Sequence, residues 1–300
     1  MSGWRSASRV RAFAVADALS GWSGGLGDAP DYLESLGYFE EAYVLRCPDR
    51  VAQAADWVAE GRVCTLASPL YPGVWVDRLG SLAPPALWCS WARTGAPEWA
   101  GPRAPLRVGG VGSRDIPPDL ASWCASAGVV GAASGAVWVS GDAIGCDRAF
   151  TVAAARAGGA VVHVLPLGLG VLGDGWGVSD CVSYLSVCPP DAPFSAAGAF
   201  ERNALIYALC DAAVVGHARF GVGGTWGGAM DARRRRLCPL IYSGWDGPLS
   251  ADARQARDAF VGLGVPLLCD PANLLSAAAF AQRSFVAAGY PSLDLWSESA

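Results

Sequence analysis

The chain has 300 residues and a mass of 30.9 kDa, with 52% hydrophobic and 16% charged residues and a mean hydropathy of +0.29. This composition excludes a largely disordered polypeptide, and the length fits one domain with an appendage or two small ones. Its 22 basic residues are all arginine and face 27 acids for a net charge of −5, which excludes a global basic footprint for nucleic acid.

Charge is unevenly spread. Residues 1–100 carry −3, residues 101–240 carry +1 and residues 241–300 carry −3, so any anion site is expected in the middle segment. No uncharged apolar run reaches the roughly 18 residues that span a bilayer. The N-terminal run Ala12 to Leu19 is broken by Asp17 and makes a poor secretory signal. A cytoplasmic protein is expected. Ten cysteines are scattered without a CxxC pair, beside only two histidines. Zinc needs close ligand pairs, so no metal is expected, and the thiols read as small buried hydrophobes.

Helical stretches are predicted at Arg9–Leu19, Tyr32–Leu45 and Arg50–Glu60, giving a helical N-terminal region over 1–64. Residues 65–102 hold a Tyr-Pro and a Pro-Pro segment, then a Gly-, Pro- and Trp-rich linker. From residue 103 the pattern changes. Strands are predicted at Leu106–Val111, Val137–Ser140, Ala160–Pro166, Cys181–Val187, Ala212–His217, Cys238–Tyr242 and Pro266–Cys269. Helices are predicted at Pro118–Gly128, Asp147–Ala157, Ala199–Cys210, Thr225–Arg236 and Ala251–Leu263. Short apolar runs separated by helices of this length imply βαβ units. The fold class is therefore α/β: a doubly wound, mostly parallel Rossmann-like sheet over 103–275, with a helical N-terminal extension. A C-terminal helix (Leu274–Ala288) and a polar tail occupy most of 276–300.

Open parallel sheets bind ligands outside the carboxyl ends of their strands, and three strand-to-helix turns fall there. Gly112-Ser113-Arg114 follows the first strand; glycine allows close backbone approach, and Ser113 and Arg114 can donate to phosphate oxygens. Ser140 to Asp147 (SGDAIGCD) joins a strand to a helix whose free N–H groups suit an anion, with Gly141 and Gly145 for the turn and Asp147 as a helix cap. It lacks the Lys-Ser/Thr pair of a Walker A loop and the dinucleotide glycine pattern. Gly223-Gly224-Thr225 opens a helix that ends in Arg233–Arg236, about 15 Å away at ~1.5 Å per residue. Arg202-Asn203 opens a fourth feature, where Arg202 can pair with an acid and Asn203 can both donate and accept. No Ser/His/Asp or Cys/His constellation stands out, so no catalytic residue is assigned. His163, in an apolar strand, reads as a satisfied core histidine. His217 ends a strand beside Arg219, facing the crevice.

Taken together, the turns resemble the DprA/Smf family of DNA-processing proteins. Val111-Gly112-Ser113-Arg114 is similar to that family's VGxR turn. Ser140, Gly141, Ala143, Gly145 and Asp147 match SGxAxGxD. Arg202, Asn203 and Ile206 match F-x-x-R-N-R-x-I, with Ala204 in place of the second Arg and Phe200 standing one residue nearer the Arg than the family's Phe. Gly223-Gly224-Thr225 stands near the family's SGxxxTA loop. Leu70-Tyr71-Pro72 and Pro84-Pro85-Ala86-Leu87-Trp88 resemble the segment before its Rossmann domain. The likeness covers about residues 65–245.

The resemblance implies a protein that binds single-stranded DNA, protects it and helps load a RecA-type recombinase in DNA uptake or recombination, as a homodimer and without a cofactor. It implies that Gly112, Ser113, Arg114, Ser140, Gly141, Gly145, Asp147, Arg202, Asn203, Gly223, Gly224 and Thr225 surround the bound phosphates. Trp138, Tyr207 and Trp226 are the candidates for base stacking, with Trp138 itself reading as a core residue. Against the family's pattern, the chain has no lysine, Ala204 removes an expected phosphate contact, and residues 276–300 are too few for the winged-helix domain of many members. These departures keep open a nucleotide-derived ligand sensor of the same superfamily. The LOG-type hydrolases of that superfamily need a Glu shortly after the Gly-rich turn, where this chain has Gly227, Gly228, Ala229 and Met230.

Overall fold

In a computed structural model of the chain, residues 28–37, 46, 48–66, 68–98, 104–172 and 180–288 are described. The helix predicted at Arg9–Leu19, the part of Tyr32–Leu45 beyond Gly37 and the polar tail lie outside them.

A nine-stranded sheet organises the molecule. Its strands are β1 (Val63–Thr65), β2 (Ala86–Ser90), β3 (Arg107–Val111), β4 (Val137–Ser140), β5 (Val161–Leu165), β6 (Val182–Ser186), β7 (Ala212–Val215), β8 (Leu240–Ser243) and β9 (Leu267–Leu268). The spatial order is β1-β2-β6-β5-β4-β3-β7-β8-β9. Strands β3 to β9 pair in parallel, while β1 with β2 and β2 with β6 are antiparallel. Strands β3, β4, β5, β7 and β8 are buried along their whole length, which is why they read as unbroken apolar runs.

The helices are α1 (Ala29–Ser35), α2 (Pro48–Ala59), α3 (Val74–Leu79), α4 (Pro118–Ala133), α5 (Cys146–Arg156), α6 (Ala196–Leu209), α7 (Gly223–Arg234), α8 (Ala251–Gly262) and α9 (Leu274–Ala287). Two cores lie on opposite faces of the sheet. Helices α3, α6, α7 and α8 close one, around Trp75, Leu205, Tyr207, Ala229 and Phe260. Helices α4, α5 and α9 close the other, around Leu120, Trp138, Phe150 and Ala278. The chain runs outward from β3 to β6, returns, and runs the other way from β7 to β9. The direction reverses between β3 and β7, and a doubly wound sheet opens its crevice there.

Of the segment expected to hold the Tyr-Pro and Pro-Pro stretch and a linker, residues 68–98 carry regular structure. Strand β2 extends the sheet antiparallel to β6, with Trp88 opposite Ser186. Helix α3 is fastened to α6. The fully buried Trp75 donates Nε1–H to the Leu205 carbonyl at 2.9 Å. Arg78 donates to the Ala208 carbonyl at 2.9 Å and to the Cys210 carbonyl, satisfying the open end of α6. Tyr71 donates to the Pro84 carbonyl at 2.6 Å, closing the Tyr-Pro to Pro-Pro segment on itself. Below the sheet Arg107 grips Asp211 with both its backbone N–H (2.8 Å) and its Nε (2.9 Å). Truncating Trp75 to Ala would cost about 3–5 kcal/mol.

Candidate functional site

A cavity of about 990 Å³ opens at the reversal point. Its walls come from the loops after β3 and β7 and from the first turns of α5, α6, α7 and α8. Of the residues expected there, Gly112, Ser113, Arg114, Asp147, Arg202, Asn203, Gly223, Gly224 and Thr225 line it. Ser140, Gly141 and Gly145 lie behind it and build its floor.

The loop after β4 is shaped by its own residues. Asp147 is the second residue of α5, and it does not cap that helix. Its buried carboxylate reaches across to two loops, accepting from Gly112 N–H at 3.1 Å and Gly141 N–H at 3.2 Å. Those amides are therefore already taken by a resident carboxylate and are closed to a ligand phosphate. Burial pushes the Asp147 carboxyl up, while the Arg202 charge, the Ser140 hydroxyl and the two amides pull it down. Ser140 is fully buried and donates to the Gly110 carbonyl at 2.7 Å. Gly145 has φ +90°, and a Cβ there would stand 2.3 Å from the Ser113 carbonyl oxygen. Only glycine lets α5 start this close to the loop after β3.

Arg202 also differs from expectation. It is 6% exposed and donates to the Gly141 carbonyl at 2.9 Å and to the Val164 carbonyl at the end of β5. Burial pushes its guanidinium down to about 10, and Asp147 opposes that. Its Nε is buried without a partner. Arg202 thus holds the floor together, and its side chain is largely spent on backbone. Asn203 donates to the Gly224 carbonyl at 3.3 Å, tying α6 to the first turn of α7. Ala204 packs on the core and does not line the cavity.

The groups left for a ligand are different ones. Helix α7 begins after Val222 with no side chain capping its first turn, so its leading N–H groups face the cavity with the positive end of the helix dipole. Arg114 and Arg219 are exposed at the rim. Ser113 and His217 form the wall between them. The Arg233–Arg236 run lies at the far end of α7, where Arg234 and Arg235 pair with Asp231.

The expected stacking residues are displaced. Trp138 is fully buried, stacked on Phe150 with its Nε1–H donated to Gly128. Tyr207 is 2% exposed, and Trp226 is wedged between Phe220 and Phe260. The open aromatic faces belong to Phe194 (52% exposed) and Phe200 (53% exposed), both lining the cavity. Phe200 stands two residues before Arg202, beside the position of the Phe in the family's F-x-x-R-N motif, and was readable as a candidate from it. Phe194 carried no local signal. His163 is buried in β5 and stacked on Tyr184, but its Nδ1 lacks a partner, so it is not a satisfied core histidine. Burial pushes it down to about 4. Among the described residues no group of three or more His, Cys, Asp or Glu is placed to hold a metal ion, and no helix is long and apolar enough to cross a membrane.

Fold and site define a doubly wound α/β protein with an open crevice at its switch point. The model of the family described as DNA recombination-mediator protein A matches residues 62–236, and the chain belongs to that family. Among solved structures it is similar to DNA processing protein A (DprA) from Streptococcus pneumoniae, with 20% identity, TM-score 0.61 and coverage of 85% of this chain and 87% of that one. It is also similar to DNA processing protein A from Helicobacter pylori, with 20% identity, TM-score 0.57 and coverage of 73% and 96%; that structure concerns a single-stranded DNA binding mode. At this identity the two structures speak for the fold. No curated protein sequence matches the chain.

Proposed function

We propose that the crevice binds single-stranded DNA and that the protein serves as a recombination mediator, passing the strand to a RecA-type recombinase. The reading includes a homodimer in the cytoplasm, acting in DNA uptake or recombination, with no chemical step. Family membership supports the DNA-processing role. The observation that carries strand binding is a lining that brings phosphate donors and open rings together in one crevice. The uncapped start of α7 with Arg114 and Arg219 offers donors to phosphate, while Phe194 and Phe200 offer open rings to bases. Strand binding needs a backbone track and stacking platforms together.

The test is fluorescence anisotropy with labelled oligo-dT at 50 and 200 mM salt, with AMP as competitor. Salt-sensitive binding that AMP does not displace supports the reading. Absent oligonucleotide binding, with thermal stabilisation by AMP instead, would make the chain a nucleotide sensor. Light scattering at micromolar concentration tests the homodimer, and a monomeric mass removes it.

A further inference from the structure

His217 has a particular arrangement in the crevice wall. It follows β7, and its carbonyl accepts the Ser113 N–H at 2.9 Å, which extends the β3–β7 pairing past the strand ends. Its ring turns to the same serine: Nδ1 lies 2.9 Å from Ser113 Oγ. Ser113 Oγ has a second acceptor in reach, the His217 carbonyl at 3.2 Å.

The serine hydroxyl can therefore serve either form of the ring. With neutral imidazole it donates to Nδ1. With imidazolium it accepts from Nδ1–H and turns its own proton to the carbonyl. In the imidazolium, and in the neutral tautomer that accepts from the serine, the other ring nitrogen, Nε2, carries a hydrogen. His217 lines the cavity and Ser113 occupies Nδ1, so Nε2 is the nitrogen left for a ligand.

Resting on the single-strand reading above, we propose that His217 is a phosphate-binding residue of the crevice: Nε2–H donates to a phosphate oxygen of the strand, and the ring takes up a proton as the strand binds. The charged and titratable groups lining the cavity with it are Arg219 on its own loop, Arg114 and Asp115 on the loop after β3, Asp147 on α5, and Arg202 and Tyr207 on α6. From β8, the Tyr242 hydroxyl accepts the Ala218 N–H at 3.2 Å. In the free protein burial pushes the His217 ring down, Arg219 adds to that, and Asp115 opposes both. The free ring is thus mostly neutral at neutral pH. A phosphate placed beside it and Arg219 reverses the local field and favours imidazolium. With so few cations at the crevice, one added charge is a large fraction of the total.

The sign follows. As pH falls through the neutral range, the bound form protonates before the free form, so affinity rises. Each unit by which the strand raises the ring's pKa tightens binding tenfold between the two pH limits.

The experiment measures oligo-dT affinity from pH 8.5 to 5.5 at constant ionic strength, for the wild type and His217→Gln. Wild-type binding should tighten on the order of tenfold, from about a one-unit rise, and the variant should bind with a flat profile. Alongside, the wild-type histidine Cε1–H signals are titrated by NMR with and without oligo-dT. The chain has only two histidines, and the variant assigns them; should it fail to fold, His163→Phe assigns them by elimination. The His217 signal should titrate at higher pH with the strand bound. A flat wild-type profile, an equal slope in His217→Gln, or a His217 titration unmoved by oligo-dT overturns the assignment while leaving strand binding standing. No oligo-dT binding at any pH overturns the strand reading itself, and this inference with it.

Discussion

Arg202 lies with its guanidinium against the face of Gly141, bonding that residue's carbonyl at 2.9 Å, so close that a Cβ on Gly141 would sit 2.4 Å from Nη1. Asp147 bonds the N–H of the same glycine from the other side. The Arg, the Gly and the Asp of two separate sequence motifs are thus one unit, and that unit shapes the crevice wall with its polar atoms largely spent on backbone.

Arg202→Ala and Arg114→Ala should therefore fail differently. Removing Arg202 leaves the Gly141 and Val164 carbonyls unserved and Asp147 buried without its nearby cation. Breaking a buried charge arrangement costs about 3–5 kcal/mol. We expect a fall in Tm on the order of 10 °C, at ~2–4 °C per kcal/mol for a domain of this size. Arg114→Ala should leave Tm in place and weaken oligonucleotide binding. Thermal melts of both variants check this, and an unchanged Tm for Arg202→Ala would return that residue to the ligand.

Asp147→Asn separates charge from shape at the same place. Two backbone N–H groups point at the carboxylate oxygens. An amide keeps one acceptor and turns an NH₂ toward the other donor. One loop must let go, at about 1–3 kcal/mol for the buried N–H left unpaired. The expected result is a lower urea midpoint with an unchanged slope, and faster hydrogen exchange at Gly112 or Gly141. Unaltered exchange at both amides would mean that the carboxylate does not hold them.

The sequence made the parallel part of this fold legible and the edge illegible, for a physical reason. Strands β4 and β7 are apolar runs between turn residues, buried on both faces, so the local pattern carries the information. Ala86–Ser90 joins the sheet only through antiparallel pairing with β6, about a hundred residues away, and its surroundings of Pro and Trp read as a linker. The site followed the same division. The turns that line the crevice could be placed from strand ends and glycines. The division of labour within them could not. Asp147 at the start of a helix reads as a cap, and only the tertiary structure shows that it serves two other loops. Tyr207 and Trp226 are stacking candidates by type, and the packing consumes both. Phe194 has no motif at all and is left open by the packing of its neighbours.

Charge and stacking should separate in solution. Arg114 and Arg219 are the exposed cations at the crevice, so few counterions are released on binding. Single strands lose about 0.7 in the slope of log affinity against log salt per neutralised phosphate. We expect a shallow slope of about −1.5, reduced by about half in Arg114→Ala. Phe194→Ala and Phe200→Ala should each cost about 1–3 kcal/mol of affinity with the slope intact. Anisotropy across a salt series checks both. A steep wild-type slope would locate the main contact on another surface.

His163 provides a stability readout apart from binding. Its ring is buried, its Nδ1 has no partner, and Asp142 is 3.9 Å from Nε2. Desolvation dominates and holds the folded ring down to about 4, against 6.5 for the ordinary group. The sign follows from proton counting. Between these two values the unfolded chain binds a proton that the native state refuses, so stability falls as pH falls. Above 6.5 neither state is charged and the dependence vanishes. Below about 4 both are charged and the loss is complete, at about 3 kcal/mol by 1.36 kcal/mol per unit. His163→Phe keeps the ring against Tyr184 and removes the unpaired nitrogen, which is close to neutral when shape is retained. At pH 7.5 the variant should match the wild type or slightly exceed it. Its advantage should then grow as pH falls from 6.5 toward 4, since other titrating groups are common to both proteins. Urea unfolding of the pair at pH 7.5, 6 and 5 measures the difference, and an advantage that stays constant across that range would show that the ring is not held neutral in the fold.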